Sequence, residues 1–265
     1  MLGLRNRSRV GVWLVLLQSA AFQLIAQTTP LPDAPSASAA NRQISWKLLV
    51  PNVVHDQVPI WLFPKAVAEG KHLKPTLVLL SVTAGLVAID PAVSPYFKNN
   101  QSFRAFDRDF SGENTTLAML AFPVAFYTWG LEKKDPYAQH TVLLAGEAVI
   151  DSEILATVLK DLDRRTLPSQ VPANSGFGDT WFEAHGQWYR GIGSFPSGHT
   201  IAAFSIATVF ADRYPKPRWH RWVAFGLAGL VGFSRVPLQA HYPSDVFAGA
   251  VLGYSIAHYA VLRLP

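Results

Sequence analysis

Three short stretches of this sequence contain the residue types that phosphate chemistry requires. One is Pro196-Ser197-Gly198-His199, which directly precedes an apolar run from Ile201 to Ala211. The run is typical of a helix, so Ser197 and the Gly198 amide are predicted at a helix N-terminus, where backbone donors and the helix dipole favour an anion. His199 titrates near neutral pH, which suits a general acid or a nucleophile.

A second stretch begins at Arg235 and continues through His241 and Asp245, with five and three residues between them. Arg235 carries a fixed positive charge in a planar fork of donors that fits an oxyanion. His241 also titrates near neutral pH, so one of the two histidines can be the acid and the other the nucleophile, and Asp245, four residues after His241, can reach its imidazole and orient it. A local His–Asp pair without catalytic work is the alternative interpretation.

The third stretch lies upstream, from Lys160 to Pro168. Lys160 adds a second fixed positive charge at the end of an apolar segment, a place where lysine also favours a helix C-terminus. Arg164 and Arg165 follow it and supply further positive charge.

Together the stretches resemble the motifs of the type 2 phosphatidic acid phosphatase superfamily, PAP2, which includes bacterial non-specific acid phosphatases and vanadium haloperoxidases. The family motifs read K-x6-R-P, P-S-G-H and S-R-x5-H-x3-D. The second and third match at every fixed position, and the first is partial because Leu167 stands where the family has arginine. The resemblance covers about residues 115 to 262.

The resemblance implies roles for individual residues. His241, oriented by Asp245, is expected to form a phosphohistidine, and His199 to protonate the leaving group and then activate water. The expected phosphate-binding residues are Lys160, Arg165, Ser197, Gly198 and Arg235. Arg165 is preferred to Arg164 as the substitute for the missing arginine, since many relatives carry a second arginine there. No metal or cofactor is expected, and vanadate only in a haloperoxidase.

Composition favours a membrane protein or a deeply packed helical protein. Of the 265 residues 49% are hydrophobic and 15% charged, and the net charge is +5 without a basic stripe, which argues against a nucleic-acid partner. There are no cysteines, which excludes disulfides and thiolate metal sites. No protein partner can be inferred. Six apolar segments predict an all-α bundle of about six helices, at 75–90, 115–131, 138–160, 199–213, 219–235 and 245–262.

Three regions are predicted along the chain. Residues 1–26, with three arginines before an apolar core, are typical of a signal peptide or an N-terminal anchor. Residues 27–44 are rich in Pro, Ala and Ser and predict a disordered linker. Residues 45–265 form the PAP2-like helical domain, with the motifs between 138 and 262.

Location follows from segment length and charge. The cleanest apolar runs are shorter than the ~20 residues of a full span, so the resemblance favours a membrane-embedded bundle while a soluble periplasmic bundle stays open. The basic loop at 213–221 predicts a cytoplasmic position, which turns the motifs toward the periplasm. A cleaved signal peptide conflicts with six full spans, so one segment, 75–90 or 138–160, is expected not to cross.

The predicted function is hydrolysis of a phosphate monoester or diphosphate, with a phosphorylated lipid as the favoured substrate at a bacterial inner membrane. Three alternatives remain open. They are a soluble periplasmic non-specific acid phosphatase acting on small phosphate esters, a vanadate-dependent haloperoxidase, and a non-catalytic lipid-binding relative, the last motivated by Leu167.

Overall fold

A computed structural model describes residues 42–172 and 175–263, and within these ranges all regular structure is helical. The α-helices are α1 Leu49–Ala68, α2 Leu73–Asn99, α3 Arg104–Asp109, α4 Gly112–Glu132, α5 Pro136–Asp163, α6 Gly198–Arg213, α7 Trp219–Arg235 and α8 Pro243–Ser255. A π-helical turn, Ile256–Val261, continues α8. Five of the six predicted apolar segments fall within one of these helices, and the sixth, 245–262, covers most of α8 and the π-helical turn, which confirms the all-α prediction.

The helices differ from the predicted segments in places where local signals mislead. Residues 45–68 predict only a short surface helix, but α1 has 20 residues and continues through Pro59 and Pro64. Pro91 and Pro95 likewise lie inside α2, which extends to Asn99 rather than ending at residue 90. Proline removes one helical hydrogen bond, and the neighbouring turns keep these helices continuous.

The packed part of the chain also begins earlier than predicted. Ile44, assigned to the linker, is buried in the main hydrophobic core. Arg42 forms ion pairs with the buried carboxylates of Asp56 and Glu147. The predicted signal peptide and the linker up to residue 41 lie outside the described residues.

Helix α6 is the centre of the bundle and packs against α5, α7 and α8. Small residues permit the closest of these approaches. A Cβ atom added to Gly253 would lie 2.4 Å from the carbonyl oxygen of Ile201, and one added to Gly249 would lie 2.7 Å from that of Ser197. Because α8 rests directly on the backbone of α6, the beginnings of these two helices are held side by side.

One described helix, over Leu73–Lys98, is long and apolar enough to cross a membrane, with a mean hydropathy of 1.9. Only 6% of its apolar window is buried by the rest of the protein. Most of its apolar side chains therefore lie on the outside of the protein and are not packed into a core. A single helix of this kind is weak evidence for a membrane location.

We expect Gly253→Ala to destabilise the fold, because the added methyl group would force α8 away from the Ile201 carbonyl. The expected loss is about 1–3 kcal/mol, as for other overpacked sites. Gly226→Ala is the matched control: a Cβ atom at Gly226 meets nothing within 4 Å, and alanine favours a helix interior. Thermal unfolding of both variants in one detergent tests this, and a Gly253→Ala protein as stable as Gly226→Ala would contradict it.

Candidate active site

A cavity of about 510 Å³ lies where the C-terminal ends of α5 and α7 meet the N-terminal end of α6. Its wall brings together four residues that the sequence predicts for the site: Lys160, His199, Arg235 and His241. These residues are separated by up to 81 positions in the chain, between Lys160 and His241, so only the packing of the bundle assembles them.

Local sequence fixes where the helices that carry the site begin. Ser197 is the residue before α6, in an extended conformation. Pro243 occupies the first turn of α8, where a missing N–H costs nothing. At the third position of that turn, the Asp245 carboxylate accepts a hydrogen bond from the Tyr242 amide at 2.9 Å. The beginnings of α6 and α8 are linked by a hydrogen bond, because the Ser197 amide donates to the Asp245 carbonyl at 3.0 Å.

His241 is held in a defined orientation. Its Nδ1 lies 2.7 Å from the Ser194 carbonyl and 3.6 Å from Asp245 Oδ2. A carbonyl can only accept, so Nδ1 carries the proton and Nε2 keeps its lone pair. Burial lowers the pKa of His241, while the Asp245 carboxylate opposes that change. The side chain is therefore a neutral imidazole whose unprotonated nitrogen is Nε2, the form a nucleophile requires.

His199 contacts the first turn of α4. Its Nε2 lies 3.1 Å from Thr116 Oγ1 and 3.3 Å from the Gly112 carbonyl oxygen. Burial and the nearby Arg235 charge lower the pKa of His199 to about 4. A bound phosphate would supply a negative charge beside the ring and so favour its protonated form. The ring then becomes an acid when an anionic ligand is present.

Arg235 is fixed by the same segment. Its Nη2 donates to the Phe110 carbonyl and to Thr115 Oγ1 at 2.9 Å, and its Nε donates to Ser234 Oγ at 3.1 Å. Residues 110–116 were not predicted for the site. Asn114-Thr115-Thr116 indicates only a helix start, and no local signal shows that this start would pack against His199 and Arg235.

Arg165 does not occupy the predicted place. Its guanidinium is buried against Asp90 and Asp245 and does not line the cavity. Arg164 does not line the cavity either, since the central carbon of its guanidinium lies 4.6 Å from the centre of the Trp188 ring. Leu167, where the family has arginine, is itself part of the cavity wall. The structure therefore leaves the missing arginine without a substitute from Arg164 or Arg165.

The structure also differs from the prediction at the start of α6. The Ser197 side chain is fully buried, and its Oγ accepts a hydrogen bond from Thr200 Oγ1 at 2.9 Å. Neither Ser197 nor Gly198 is part of the cavity wall. Gly198 instead faces Glu153, whose carboxylate oxygens would be 3.2 Å from an added Cβ atom. Two polar residues without a predicted role, Gln170 and His185, do line the cavity.

The described residues include one group of carboxylates close enough to share a cation: Asp56, Glu147 and Asp151. The Arg42 side chain supplies positive charge there, because its guanidinium pairs with Asp56 and Glu147. Asp151 precedes Lys160 by nine residues on α5, about 13 Å at the helical rise. This cluster is therefore separate from the cavity.

Residues 141–264 match the sequence model described as the PAP2 superfamily, a range that contains all three motif stretches. Just under half of the chain is therefore similar to this superfamily. The recognition of this superfamily from the three stretches is thereby confirmed.

The relatives of this PAP2 region include enzymes named for lipid phosphates. A lipid A 1-phosphatase from Rhizobium etli is 36% identical over 40% of this chain and 42% of its own length. An undecaprenyl-diphosphatase, BcrC, from Bacillus subtilis is 43% identical over 24% of this chain and 31% of its own length. The chain thus spans less than half the length of these curated relatives.

One solved structure is also similar. It is the crystal structure of a transmembrane PAP2-type phosphatidylglycerolphosphate phosphatase from Bacillus subtilis, which is 24% identical. The similarity covers 69% of this chain and 92% of that one, with a TM-score of 0.45.

The cavity wall predicts that Lys160→Met weakens the binding of inorganic phosphate about 10- to 100-fold, the effect of losing one charged hydrogen-bond donor. Lys133→Met is the matched control, because Lys133 follows the opposite end of α4 and is exposed. Calorimetric titration with phosphate measures both. Equal affinities for the two variants would show that Lys160 does not contact the anion.

Proposed function

We propose that this protein is a PAP2-type phosphatase that hydrolyses a phosphate monoester or diphosphate of a lipid through a phosphohistidine at His241. The observation that carries the proposal is the grouping of His241, His199, Lys160 and Arg235 around one cavity. A nucleophile, an acid and two fixed cations are the groups that phosphoryl transfer without a metal requires.

The first step of the proposed reaction uses both histidines. Nε2 of His241 attacks phosphorus as the bond to the leaving oxygen breaks, and that oxygen takes a proton from His199. In the second step a water molecule gives a proton to His199 and attacks the phosphorus. The N–P bond then breaks, so inorganic phosphate leaves and His241 returns to its neutral form.

In this proposal, the positive charges of Lys160 and Arg235 neutralise the negative charge on the phosphoryl oxygens. The start of α6, at Ser197 and Gly198, adds the positive end of a helix dipole. These groups take the part that magnesium has in other phosphoryl-transfer enzymes, so we propose that the reaction is independent of metal ions.

An apolar groove between α4, α6 and α7 supports a lipid substrate. Its α6 wall includes Ala203, Ala207 and Phe210, and its α7 wall includes Ala224 and Val231. On α6 these positions continue the stripe that begins at His199, and on α7 they continue the stripe that ends at Arg235, at steps of three, four or seven residues. An apolar tail would thus have a groove on the same helix faces that carry the phosphate site.

The relatives narrow the substrate only to a class. Their names mention lipid A and undecaprenyl diphosphate. A lipid A phosphate and undecaprenyl diphosphate are therefore candidate substrates, beside phosphatidic acid and phosphatidylglycerophosphate, which the same phosphate site and apolar groove would also fit.

We further propose a membrane location with the site facing the periplasm. The apolar helix Leu73–Lys98 suits a lipid environment. So does the outside of α4, which exposes Leu117, Leu120 and Val124. The basic loop at 213–221 lies between α6 and α7, at their ends remote from the cavity. The positive-inside rule then turns the cavity away from the cytoplasm.

The proposed intermediate can be trapped. We expect wild-type protein, mixed with a ³²P-labelled lipid phosphate in EDTA, to retain label after quenching in alkaline denaturant, in which a phosphohistidine survives. His241→Ala should retain none, while His185→Ala, a matched change in the same cavity wall, should retain the wild-type yield. Asp245→Asn should lower the rate about 10²- to 10⁴-fold, as expected for the orienting residue of a catalytic histidine. Label on the His241→Ala protein, or activity that returns only with magnesium, would contradict the mechanism.

The groove gives a separate prediction on substrate class. Ala224→Phe should raise the KM for a dioleoyl phosphatidate about tenfold, equivalent to losing about two buried CH2 groups. Hydrolysis of p-nitrophenyl phosphate, which has no acyl chain, should be unchanged. Ala250→Phe, on α8 and outside the groove, is the control. If Ala224→Phe leaves the lipid KM unchanged, the groove does not bind the tail, and small phosphate esters become the favoured substrates.

A further inference from the structure

The buried surroundings of Arg165 indicate a role different from phosphate binding. Nη1 of Arg165 lies 2.6 Å from Asp245 Oδ1 and 2.7 Å from Ser244 Oγ, and Nη2 lies 2.7 Å from Asp90 Oδ2. Arg165 is 1% exposed and Asp90, Ser244 and Asp245 are 0% exposed. The guanidinium is thus placed behind the proposed catalytic pair, with Asp245 between it and His241.

The orientation of the guanidinium plane is also fixed. Its central carbon lies 3.8 Å from the centre of the Tyr242 ring and 4.5 Å from that of Trp181. Arginine stacks on aromatic faces in this way because its flat, weakly hydrated cation is attracted to the ring quadrupole. The two rings and the two carboxylates leave Arg165 with no room to turn toward the cavity.

Arg165 in turn fixes the Asp245 carboxylate. Oδ1 is bound by Arg165, so the other oxygen, Oδ2, faces Nδ1 of His241 at 3.6 Å and accepts from the Tyr242 amide. A carboxylate that could rotate would present either oxygen to the imidazole at varying distances. The contact with Arg165 therefore sets the geometry of the His241–Asp245 pair.

Asp90 completes the balance of charge. An arginine paired with Asp245 alone would cancel the negative charge that steadies the imidazole ring. Asp90 shares the guanidinium, accepts from the Ser244 amide at 3.2 Å and contacts Ser244 Oγ at 2.5 Å. Because Asp90 shares the guanidinium, Arg165 does not neutralise Asp245 alone, and a third carboxylate, Asp163, accepts from the Arg165 amide at 2.9 Å.

Asp90 also stands out in its own helix. It lies within the apolar stretch Leu73–Lys98, where an unpaired carboxylate would be costly. Ionisable residues in such stretches are retained where a partner and a function compensate for that cost. The partner here is Arg165, from a different segment.

We propose that Arg165 and Asp90 are positioning residues, which orient Asp245 and set the charge around His241 without contacting the substrate. This inference rests on the proposed function of His241 as the nucleophile. The charged or titratable groups that act on His241 from the surrounding elements are Asp245 of α8, Lys160 of α5 and His199 of α6, and Arg235 and His185 line the same cavity wall. Arg165 and Asp90 act on it through Asp245.

The first test separates positioning from phosphate binding by steady-state kinetics. Arg165→Gln should lower kcat about 10²-fold, the effect of a misplaced catalytic group. Its KM and the Ki of inorganic phosphate should stay within about twofold of wild type, and Arg165→Lys should recover part of kcat. Arg235→Gln, which removes a cavity cation, serves as the reference and should raise the Ki. A raised Ki with an unchanged kcat for Arg165→Gln would overturn the proposal.

A second test has a sign that a purely structural role does not predict. The titration midpoint of His241 is measured by NMR of ¹⁵N-histidine-labelled protein in detergent, with His241→Ala used to assign the signal. Arg165→Gln leaves both carboxylates uncompensated, so the midpoint should rise, and Asp90→Asn leaves Arg165 fully on Asp245, so it should fall. Shifts in one direction, or none, would overturn the proposal.

The two tests fail separately from the proposed function. If wild-type protein hydrolysed no phosphate ester, the proposed function would fail, while the NMR titration would still decide whether Arg165 and Asp90 control His241. If wild type is active and the midpoints do not move apart, only the positioning proposal is lost. Cooperative thermal unfolding of Arg165→Gln and Asp90→Asn above the temperature of the measurements confirms that both comparisons are made on folded protein.

Discussion

Asp245 is the residue on which the assembly of the site depends. Its carboxylate binds Arg165 and faces His241, and its backbone carbonyl accepts from the Ser197 amide. One fully buried residue therefore connects all three motif stretches, which lie far apart in the chain. A buried carboxylate without such partners would carry a large desolvation cost, so the contacts that place the candidate catalytic groups are also the contacts that make Asp245 tolerable inside the protein.

The helices serve this junction. Glycines at 249 and 253 let α8 approach the backbone of α6, and this brings the start of α8, with Asp245, beside the start of α6, with Ser197. Arg235 at the end of α7 and Lys160 near the end of α5 reach the same cavity. The polar groups therefore gather at helix ends, where unsatisfied backbone groups and fixed charges can act on an anion, while the groove below them stays apolar.

The prediction from sequence was accurate where local periodicity and short-range spacing decide the outcome. The six apolar segments were found because a helix of this kind needs a long run of apolar residues. Pro91 and Pro95 misled the end of α2, because the proline signal is local whereas the continuity of a helix depends on the turns around it. Arg42 and Ile44 looked like linker residues, since only their distant partners, such as Asp56, show that they are packed.

At the site, the sequence alone determined the candidate residues: Lys160, His199, Arg235, His241 and Asp245 are recognisable from their types and spacing. Tertiary structure alone decided which way the remaining candidates face. Arg165 and Ser197 have the right chemistry for phosphate, yet both are buried against other residues. The start of α4, which no motif marks, contacts His199 and Arg235. Spacing along the chain fixes a residue's place on its own helix, but the direction of a side chain toward a cavity depends on partners contributed by other helices, such as Asp90 for Arg165.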